Sequence, residues 1–599
     1  MATILPPSGK FRATGAGWDI ADALKVRRRA LWGIGFLCLT FFGLLARLWF
    51  LQVVRGSEYM VMAQRNRIAR VPFEAPRGLI LDRRGAILAT SRSQHSVALV
   101  PGTLPSKKRE GEARAQILGT LAFLLGTTAK DLEAQLTDAA IRGGRFYDPV
   151  TVAEGVDLRT ITLIEENKPR LSDAVLVTDD LKRLYPQGQL GAHVLGYTGL
   201  VTKRELERAE KAGRPLHFDD KIGKSGLERQ YDALLMGTRG AQEYEVDSRG
   251  RPVRPRDRIA DKPGATLRLT LDLRLQKAAE LALSKARNNG AVAAIDPRNG
   301  EILALASRPT FNPNIFSLPK AQFNPLYRKI AANTGHPLLN RPVVSRFSPG
   351  STFKMITAAA GLEQGTLTTR HSINCTGGMR MGRWFGCWKT HGANIDLFDS
   401  LAQSCNVFYY QASLKMGNPQ GSGPTYLATI ARGFGLGRET GIDLPSDEAG
   451  LVPDPAWRAE INKSRPDLAR WYDGNTLNMS IGQGDVLATP LQMALATGAV
   501  ANGGTLWKPH LLQKAVALDG KILKKAAPQS ENVGISAKNL ALVRRGMREV
   551  VTRGTGKGIA LPHVAVAGKT GSAEDANKVL PHAWWVCYAP AEKPTIAIA

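Results

Sequence analysis

The sequence predicts an α+β protein with one membrane anchor and at least two folded domains. Its 599 residues exceed the length that a single hydrophobic core usually organises. Near the N-terminus lies an uncharged apolar run that approaches the length needed to cross a bilayer. In the C-terminal half, strand-like patterns flank a long helical stretch on both sides, which indicates a sheet assembled from distant parts of one domain.

The membrane anchor is predicted over residues 30–51. Residues 30–46 carry no charge, Arg47 can extend its guanidinium toward the interface, and the next residues complete the roughly 20 positions that a spanning helix needs. Basic residues immediately precede the run, so the positive-inside rule places residues 1–29 in the cytoplasm as a basic tail and the later domains outside. The sequence around Arg47 is a poor signal-peptide cleavage site, which favours a retained anchor over a cleaved leader.

Residues 55–262 are predicted to form a β-rich domain between the anchor and the C-terminal domain. Residues 75–85 alternate apolar positions with turn residues, as in two strands joined by a turn. Residues 107–204 mix helical periodicity with loops and indicate a small α+β head, and a helix followed by a hairpin is predicted after it. The polar segment 252–263 is rich in Arg, Asp and Pro, so we place the domain boundary there.

The C-terminal domain is predicted over residues 266–599. Its strand patterns lie at 267–272, 291–306, 564–571 and 583–589, with a helix at 274–287 and mostly helices up to about residue 500. Asn299 and Gly300 form a two-residue turn signal inside one of these patterns. The chain ends inside another apolar strand pattern, at residues 595–599.

The chain is strongly basic, with 80 Lys and Arg against 52 Asp and Glu and a formal net charge of +28. The basic residues are dispersed, and no zinc-finger, RRM or basic-zipper pattern accompanies them, which argues against a nucleic-acid partner. A dispersed excess fits contact with an anionic membrane surface or envelope polymer, and a merely solvated charged surface is the simplest interpretation.

Ser351 and Lys354 stand three residues apart after a Pro-Gly pair that signals the start of a helix. On a helix this spacing puts both side chains on one face, so the amine can reach a hydroxyl that it must deprotonate. The pattern alone is weak evidence, because Ser317 and Lys320 repeat it around an internal proline.

Ser404 and Asn406 form the one Ser-x-Asn pair with a suitable neighbourhood. Leu397, Leu401 and Phe408 repeat around them at helical spacing, so we expect both on a buried, rigid element. Lys569-Thr570-Gly571 occurs once, at the end of an apolar strand pattern, and its glycine would let a substrate backbone approach closely.

In this order the three motifs resemble those of penicillin-binding proteins. Several other segments resemble the monofunctional class B members. They are Pro76-Arg77-Gly78, Gly226-Leu227-Glu228, Leu338-Leu339-Asn340-Arg341-Pro342, Ile481-Gly482-Gln483-Gly484 and Thr489-Pro490-Leu491-Gln492. Within class B the chain is most similar to the elongation-specific penicillin-binding protein 2, and the division transpeptidase is the main alternative.

The resemblance implies a serine β-lactamase-like transpeptidase domain, in which helices flank a five-stranded antiparallel sheet, above an elongated non-catalytic pedestal of the dimerisation type. It implies that Ser351 attacks the carbonyl between the two terminal D-alanines of a peptidoglycan stem peptide and forms an acyl-enzyme, which an amine of a neighbouring stem resolves. Relatives continue beyond the point where this chain ends, so a C-terminal truncation is expected.

The same resemblance assigns the other roles. Lys354 must be neutral to accept a proton, and a nearby cationic Lys569 together with burial would lower its pKa. Ser404 would pass the proton to the leaving D-alanine, and Asn406 would bond the substrate backbone or Lys354. The remaining members of the site bind substrate: the side chains of Lys569 and Thr570 hold its carboxylate, Gly571 lies against its backbone, and the backbone N–H of Ser572 joins that of Ser351 in the oxyanion hole.

Three cysteines and one histidine lie close together in the sequence near the Ser404 motif. Cys375, Cys387, His391 and Cys405 are a ligand set suited to tetrahedral zinc, although their spacing is looser than that of zinc fingers. A disulfide between Cys375 and Cys387 is an alternative, and so is an ordinary buried thiol at Cys405 with a surface histidine. We hypothesise a structural zinc, and catalysis itself needs no cofactor.

The resemblance also implies partners and a location. They are peptidoglycan stem peptides on lipid-linked or nascent glycan, β-lactam antibiotics, the membrane, a SEDS-type glycan polymerase and scaffold proteins of the elongation complex, at the inner membrane with the catalytic domain in the periplasm. A D,D-carboxypeptidase and a non-enzymatic β-lactam sensor remain alternatives, whereas a β-lactamase would not need the anchor and the pedestal.

Overall fold

The computed structural model describes residues 20–60, 68–144, 146–214, 216–246, 252–286, 288–417, 423–573 and 581–599. Its contacts divide the chain into two compact units. One comprises the N-terminal residues to Val71 together with Gln242–Arg258, and the other comprises Pro72–Ala241 with Ile259–Ala599.

The first unit contains a helix at Ile20–Trp49 that continues into a π-helical turn at Phe50–Val54. Among the described residues, Val26–Val54 is the one segment long and apolar enough to cross a membrane, and its side chains are exposed. This span includes the anchor predicted at 30–51.

The segment from Ile68 to Leu269 contains ten strands and eight α-helices among the described residues. The strands are β1 (Ile68–Phe73), β2 (Ile80–Leu81), β3 (Ile87–Leu99), β4 (Val150–Glu154), β5 (Val175–Leu184), β6 (Thr198–Leu200), β7 (Lys221–Gly223), β8 (Gly240–Val246), β9 (Pro252–Ile259) and β10 (Thr266–Leu269). The helices are Gly111–Leu125, Ala129–Ile141, Leu158–Glu166, Lys168–Leu171, Ala192–Leu195, Lys203–Lys211, Gly226–Gln230 and Asp232–Leu235.

The segment 252–263, where we placed the domain boundary, is a strand over most of its length. There β9 completes a three-stranded sheet of order β1-β8-β9. Its proline-rich, charged composition is typical of an exposed strand, where missing N–H donors are tolerated, as well as of a linker. The domain bounds 55–262 and 266–599 stay a prediction.

From residue 273 onward, helices dominate the chain. They are Leu273–Lys285, Lys320–Ala331, Arg341–Val344, Lys354–Gln364, Leu397–Ala402, Asn406–Lys415, Gly423–Gly433, Pro455–Ile461, Pro466–Ala469, Asp473–Ser480, Pro490–Asn502 and Ala537–Thr552. The strands are β11 (Gly290–Ile295), β12 (Ile302–Arg308), β13 (Ile373–Cys375), β14 (Gly378–Met381), β15 (Arg383–Gly386), β16 (Gly392–Ile395), β17 (Thr505–Trp507), β18 (Leu512–Val516), β19 (Ile522–Lys525), β20 (Ser530–Asn532), β21 (Ala567–Ala573), β22 (His582–Ala589) and β23 (Ile596–Ile598).

The second unit contains the expected five-stranded antiparallel sheet, in the order β12-β11-β23-β22-β21. Its strands come from both ends of the domain, as the sequence predicted. Helix Pro490–Asn502 packs against this sheet and is apolar on all sides, and its residues from Pro490 to Ala501 are buried. The mixed α+β fold class is therefore confirmed, and β21 lies at one edge of the sheet.

A seven-stranded sheet occupies the other part of this unit. Its strand order is β19-β18-β10-β2-β3-β4, with β5 paired to β3. Because β10 pairs in parallel with β2 and antiparallel with β18, this sheet joins residues on both sides of the predicted domain boundary.

Candidate active site

Ser351 lies in a 3-10 turn at Gly350–Phe353 that leads directly into helix Lys354–Gln364. The turn depends on glycine at position 350, whose φ is +54°. A Cβ atom on Gly350 would lie 2.6 Å from the backbone oxygen of Ser572. The turn therefore holds Ser351 directly against strand β21, at the N-terminal end of a helix where negative charge is favoured.

Strand β21 contains Lys569, Thr570 and Gly571 and passes close to the serine turn. A Cβ atom on Gly571 would lie 3.0 Å from the backbone oxygen of Pro349 and 2.9 Å from Cγ2 of Thr352. Among the described strands β21 pairs with β22 alone, so its outer edge keeps backbone donors and acceptors that an extended peptide can use.

The Lys354 amine is fully buried and has three hydrogen-bond acceptors. Its Nζ lies 2.8 Å from the backbone oxygen of Ser404, 3.3 Å from Ser404 Oγ and 2.6 Å from Asn406 Oδ1. Burial lowers the pKa of Lys354 to about 8. Burial is the main cause of this shift, whereas from the sequence we expected both burial and the charge of Lys569 to contribute.

Lys569 brings a second buried amine to the same hydroxyl. Its Nζ donates to Ser404 Oγ at 2.9 Å and to the backbone oxygen of Thr570 at 3.0 Å. Burial, followed by repulsion from Lys354, holds the pKa of Lys569 well below its ordinary value. Two buried amines that share one hydroxyl cannot both remain charged at low cost, so one of them is a proton acceptor near neutral pH.

Ser404 lies in a turn between two helices, so the helical spacing around it does not reflect one continuous helix. Helix Leu397–Ala402 ends before it and helix Asn406–Lys415 begins after it. Ser404 has a φ of +58°, in the left-handed region that non-glycine residues rarely adopt. Such strain clusters at functional sites, and here it turns the Ser404 hydroxyl and carbonyl toward the lysines.

The four predicted metal ligands converge. The ligand atoms of Cys375, Cys387, His391 and Cys405 all lie within 4.8 Å of one another. His391 directs Nδ1 toward two sulfur atoms, at 3.4 Å from Cys375 Sγ and 3.5 Å from Cys387 Sγ. Its Nε2 lies 3.1 Å from the backbone oxygen of Gln403. When Nε2 carries the proton and donates to this oxygen, Nδ1 of the neutral ring is unprotonated and can bind a metal.

Hydrogen bonds to sulfur favour a thiolate in this cluster. Bonds from the Cys405 thiol and from the backbone N–H of Asn406, which lies 3.1 Å from Cys387 Sγ, hold the pKa of Cys387 below its ordinary value. The five cysteines are free thiols in this structure. The donor set, three sulfurs and one imidazole in a compact group, therefore fits a tetrahedral zinc ion.

Sequence reasoning missed three contacts of the site. Thr555 Oγ1 lies 2.6 Å from Thr570 Oγ1, the ring centroid of Tyr409 lies 5.6 Å from Lys354 Nζ, and Asn406 Nδ2 donates to the backbone oxygen of Gly386 at 3.1 Å. No short motif marks these residues, because each reaches the site through a tertiary contact.

Comparison with known families fits this geometry. The family described as "Penicillin binding protein transpeptidase domain" matches residues 290–599, and "Penicillin-binding Protein dimerisation domain" matches residues 72–269. The chain belongs to the penicillin-binding proteins. This confirms the resemblance deduced from the motifs.

Curated relatives of this penicillin-binding protein include two named peptidoglycan D,D-transpeptidase MrdA. The one from Acinetobacter baumannii is 32% identical, over 97% of this chain and 85% of the relative. The one from Escherichia coli is 31% identical, over 96% of this chain and 91% of the relative. The similarity therefore covers nearly all of this chain and most of each relative.

Two solved structures are similar along most of the chain. A complex between penicillin-binding protein 2 and MreC from Helicobacter pylori has a TM-score of 0.73 and 27% identity, covering 89% of this chain and 94% of the other. A structure titled "Structural coordination of polymerization and crosslinking by a peptidoglycan synthase complex" has a TM-score of 0.67 and 30% identity, covering 96% and 94%.

Proposed function

We propose that this penicillin-binding protein is a serine-type peptidoglycan D,D-transpeptidase that cross-links stem peptides during cell-wall elongation. The observation that carries the proposal is the convergence of two buried amines on Ser404 beside the Ser351 turn. The names of the curated relatives support the same reaction, and similarity to penicillin-binding protein 2 supports the elongation role.

In the proposed reaction, the Ser351 oxygen attacks the carbonyl carbon between the two terminal D-alanines while its proton passes to neutral Lys354. Backbone N–H groups of Ser351 and Ser572 stabilise the oxyanion, a contribution whose loss typically costs about 100-fold to 1000-fold in rate. The C–N bond then breaks, Ser404 relays the proton to the departing nitrogen, and an ester joins the stem peptide to Ser351. An amine of a second stem attacks the ester, forms the cross-link and returns the proton to Ser351.

The two lysines take different roles once substrate is bound. The carboxylate of the terminal D-alanine pairs with Lys569 and Thr570 and raises the pKa of Lys569, because an opposite charge favours the ammonium form. Lys569 then stays charged and its repulsion keeps Lys354 neutral. Asn406 holds the Lys354 amine through its Oδ1 atom.

Fluorescent penicillin tests this assignment. The intact chain should be labelled covalently, and Ser351→Ala should abolish the label while Ser317→Ala, which removes the serine of the second Ser-x-x-Lys pattern, should leave it unchanged. Continued labelling of Ser351→Ala would refute the role of Ser351. Reaction products with and without an amine acceptor separate transpeptidation from carboxypeptidation.

We infer that the Cys375, Cys387, His391 and Cys405 cluster holds a structural zinc. A bound ion would fix the loop that carries Ser404 and Asn406, because Cys405 lies between them and the N–H of Asn406 donates to Cys387 Sγ. Metal analysis should find zinc in metal-replete protein, and chelation should lower the unfolding temperature. Absence of zinc, or a Cys375–Cys387 disulfide seen by mass spectrometry, would refute the inference.

The proposed location is the inner membrane, with the N-terminus in the cytoplasm and the catalytic domain in the periplasm. The apolar span Val26–Val54 and the basic residues at its N-terminal end support this orientation. The proposed partners are a SEDS-type glycan polymerase and an elongation scaffold; similarity to a peptidoglycan synthase complex and to a complex with MreC supports them. Rounding of cells after selective inactivation would support elongation, whereas filaments would indicate division.

A further inference from the structure

The β14–β15 hairpin presents a flat face that no step above uses. In its register Arg380 is paired with Trp384 and Gly378 with Gly386, so these four residues share one face of the hairpin. The Trp384 indole lies across that face, because a Cβ atom on Gly378 would come within 2.3 Å of its ring. Two glycines therefore leave room for a ring that lies flat.

Both polar and apolar parts of this face are open to solvent. Trp384 is 60% exposed and Arg380 is exposed, whereas Phe385 on the opposite face is buried against Tyr410. A large ring that is fixed by its backbone surroundings but uncovered on one side is typical of a binding surface.

The segment that contains the hairpin carries only basic charges. Residues 370–395 contain four Arg or Lys residues and no Asp or Glu. In the part of the chain that the structure describes, none of these four makes an ion pair. Their charge is thus available to an anionic ligand, and Arg380 is the one that shares the face with Trp384.

The face leads directly to the candidate active site. At its inner end the backbone oxygen of Gly386 accepts hydrogen bonds from Asn406 Nδ2 at 3.1 Å and from the Tyr410 hydroxyl at 3.3 Å. Asn406 in turn accepts from Lys354 at 2.6 Å. A polymer lying on the hairpin would therefore reach the site from the Asn406 side.

We propose that this hairpin face binds the acceptor, an uncross-linked glycan strand whose stem peptides end in carboxylates. A pyranose ring stacks on Trp384 and a stem carboxylate pairs with Arg380. The inference rests on the proposed function, in which the donor lies along β21 and the opposite, Asn406 side is left for the attacking amine. Charge complementarity favours this anionic polymer over a neutral protein partner.

The test compares two double variants of the full-length protein in detergent. Trp384→Ala with Arg380→Gln removes the proposed contacts, and Phe123→Ala with Lys525→Gln removes an exposed ring and an exposed cation elsewhere. The probe is glycan strand with tetrapeptide stems, which lack the donor D-alanyl-D-alanine end.

The hairpin variant should bind these strands with about tenfold lower affinity and cross-link nascent glycan about tenfold more slowly. This is the loss expected for one stacking contact and one charge contact. The control variant should match the unmodified protein. Penicillin acylation should stay unchanged in both, which shows that they fold and that the donor chemistry is intact.

Unchanged strand binding in the hairpin variant would overturn the inference. The inference would also be overturned if the hairpin variant lost binding to anionic lipid vesicles but kept strand binding, because the face would then be a membrane contact. Failure of the unmodified protein to react with penicillin would refute the proposed function instead.

Discussion

Ser404 offers a direct test of the shared hydroxyl, because two substitutions remove the same oxygen with different effects on the backbone. Ser404→Ala and Ser404→Gly both leave Lys354 and Lys569 without the acceptor that now lies 3.3 and 2.9 Å from their amines. At a φ of +58° glycine is relaxed, whereas alanine keeps a strain of about 1 kcal/mol. The two variants therefore separate chemistry from stability.

The expected magnitudes follow from these contacts. Loss of a proton relay typically slows a step by about 100-fold to 10,000-fold, so both variants should acylate at least about 100-fold more slowly. Unpairing buried polar groups costs about 1 to 3 kcal/mol, and Ser404→Gly should be about 1 kcal/mol more stable than Ser404→Ala.

Stopped-flow acylation by a fluorescent penicillin and equilibrium unfolding measure the two quantities. An unchanged acylation rate in Ser404→Gly would refute the proposed relay. If Ser404→Gly acylates at the rate of the unmodified protein and only the less stable Ser404→Ala is slow, the role of Ser404 is structural.

Three further predictions concern other groups. The acylation rate should rise about tenfold per pH unit and level off near pH 8, where neutral Lys354 becomes the main form; a flat profile from pH 6 to 9 would contradict this. Gly571→Ala should impair penicillin acylation and lower the unfolding temperature, because its Cβ would lie 3.0 Å from the backbone oxygen of Pro349, and normal values of both would contradict the close approach. Glu228→Ala should lower the free energy of unfolding by about 3 to 5 kcal/mol, because the fully buried carboxylate pairs with Arg77 at 2.6 Å and Arg183 at 2.7 Å. A loss of less than about 1 kcal/mol in denaturant unfolding, which is typical of a surface substitution, would contradict this prediction.

The site residues could be predicted from the sequence because they occur in short motifs of residue types that are typical of this chemistry. The Ser351 turn, the helix that starts at Lys354 and the strand with Lys569 all appear where the spacing predicted them. The five-stranded sheet followed from the family resemblance, and the apolar patterns at both ends of the domain agreed with it.

The turn at Ser404 could not be predicted from spacing. Apolar positions such as Leu401 and Phe408 keep helical periodicity across the break, because both flanking helices bury a face against the same core. The break itself depends on tertiary contacts, namely those that Lys354 and Lys569 make with Ser404.

The β14–β15 hairpin was also missed in the sequence. Its strands are only four residues long, contain glycines and lack the β-branched residues that are typical of strands. The strand within 252–263 was also missed, because the prolines and charges on which we placed a domain boundary there also occur in the exposed strand β9.

Peptide mass spectrometry after reaction with benzylpenicillin locates the nucleophile of the acyl-enzyme. We expect one covalent penicilloyl adduct, carried by the peptide that contains Ser351 and absent from Ser351→Ala. An adduct on any other residue, or none in folded full-length protein, would contradict it.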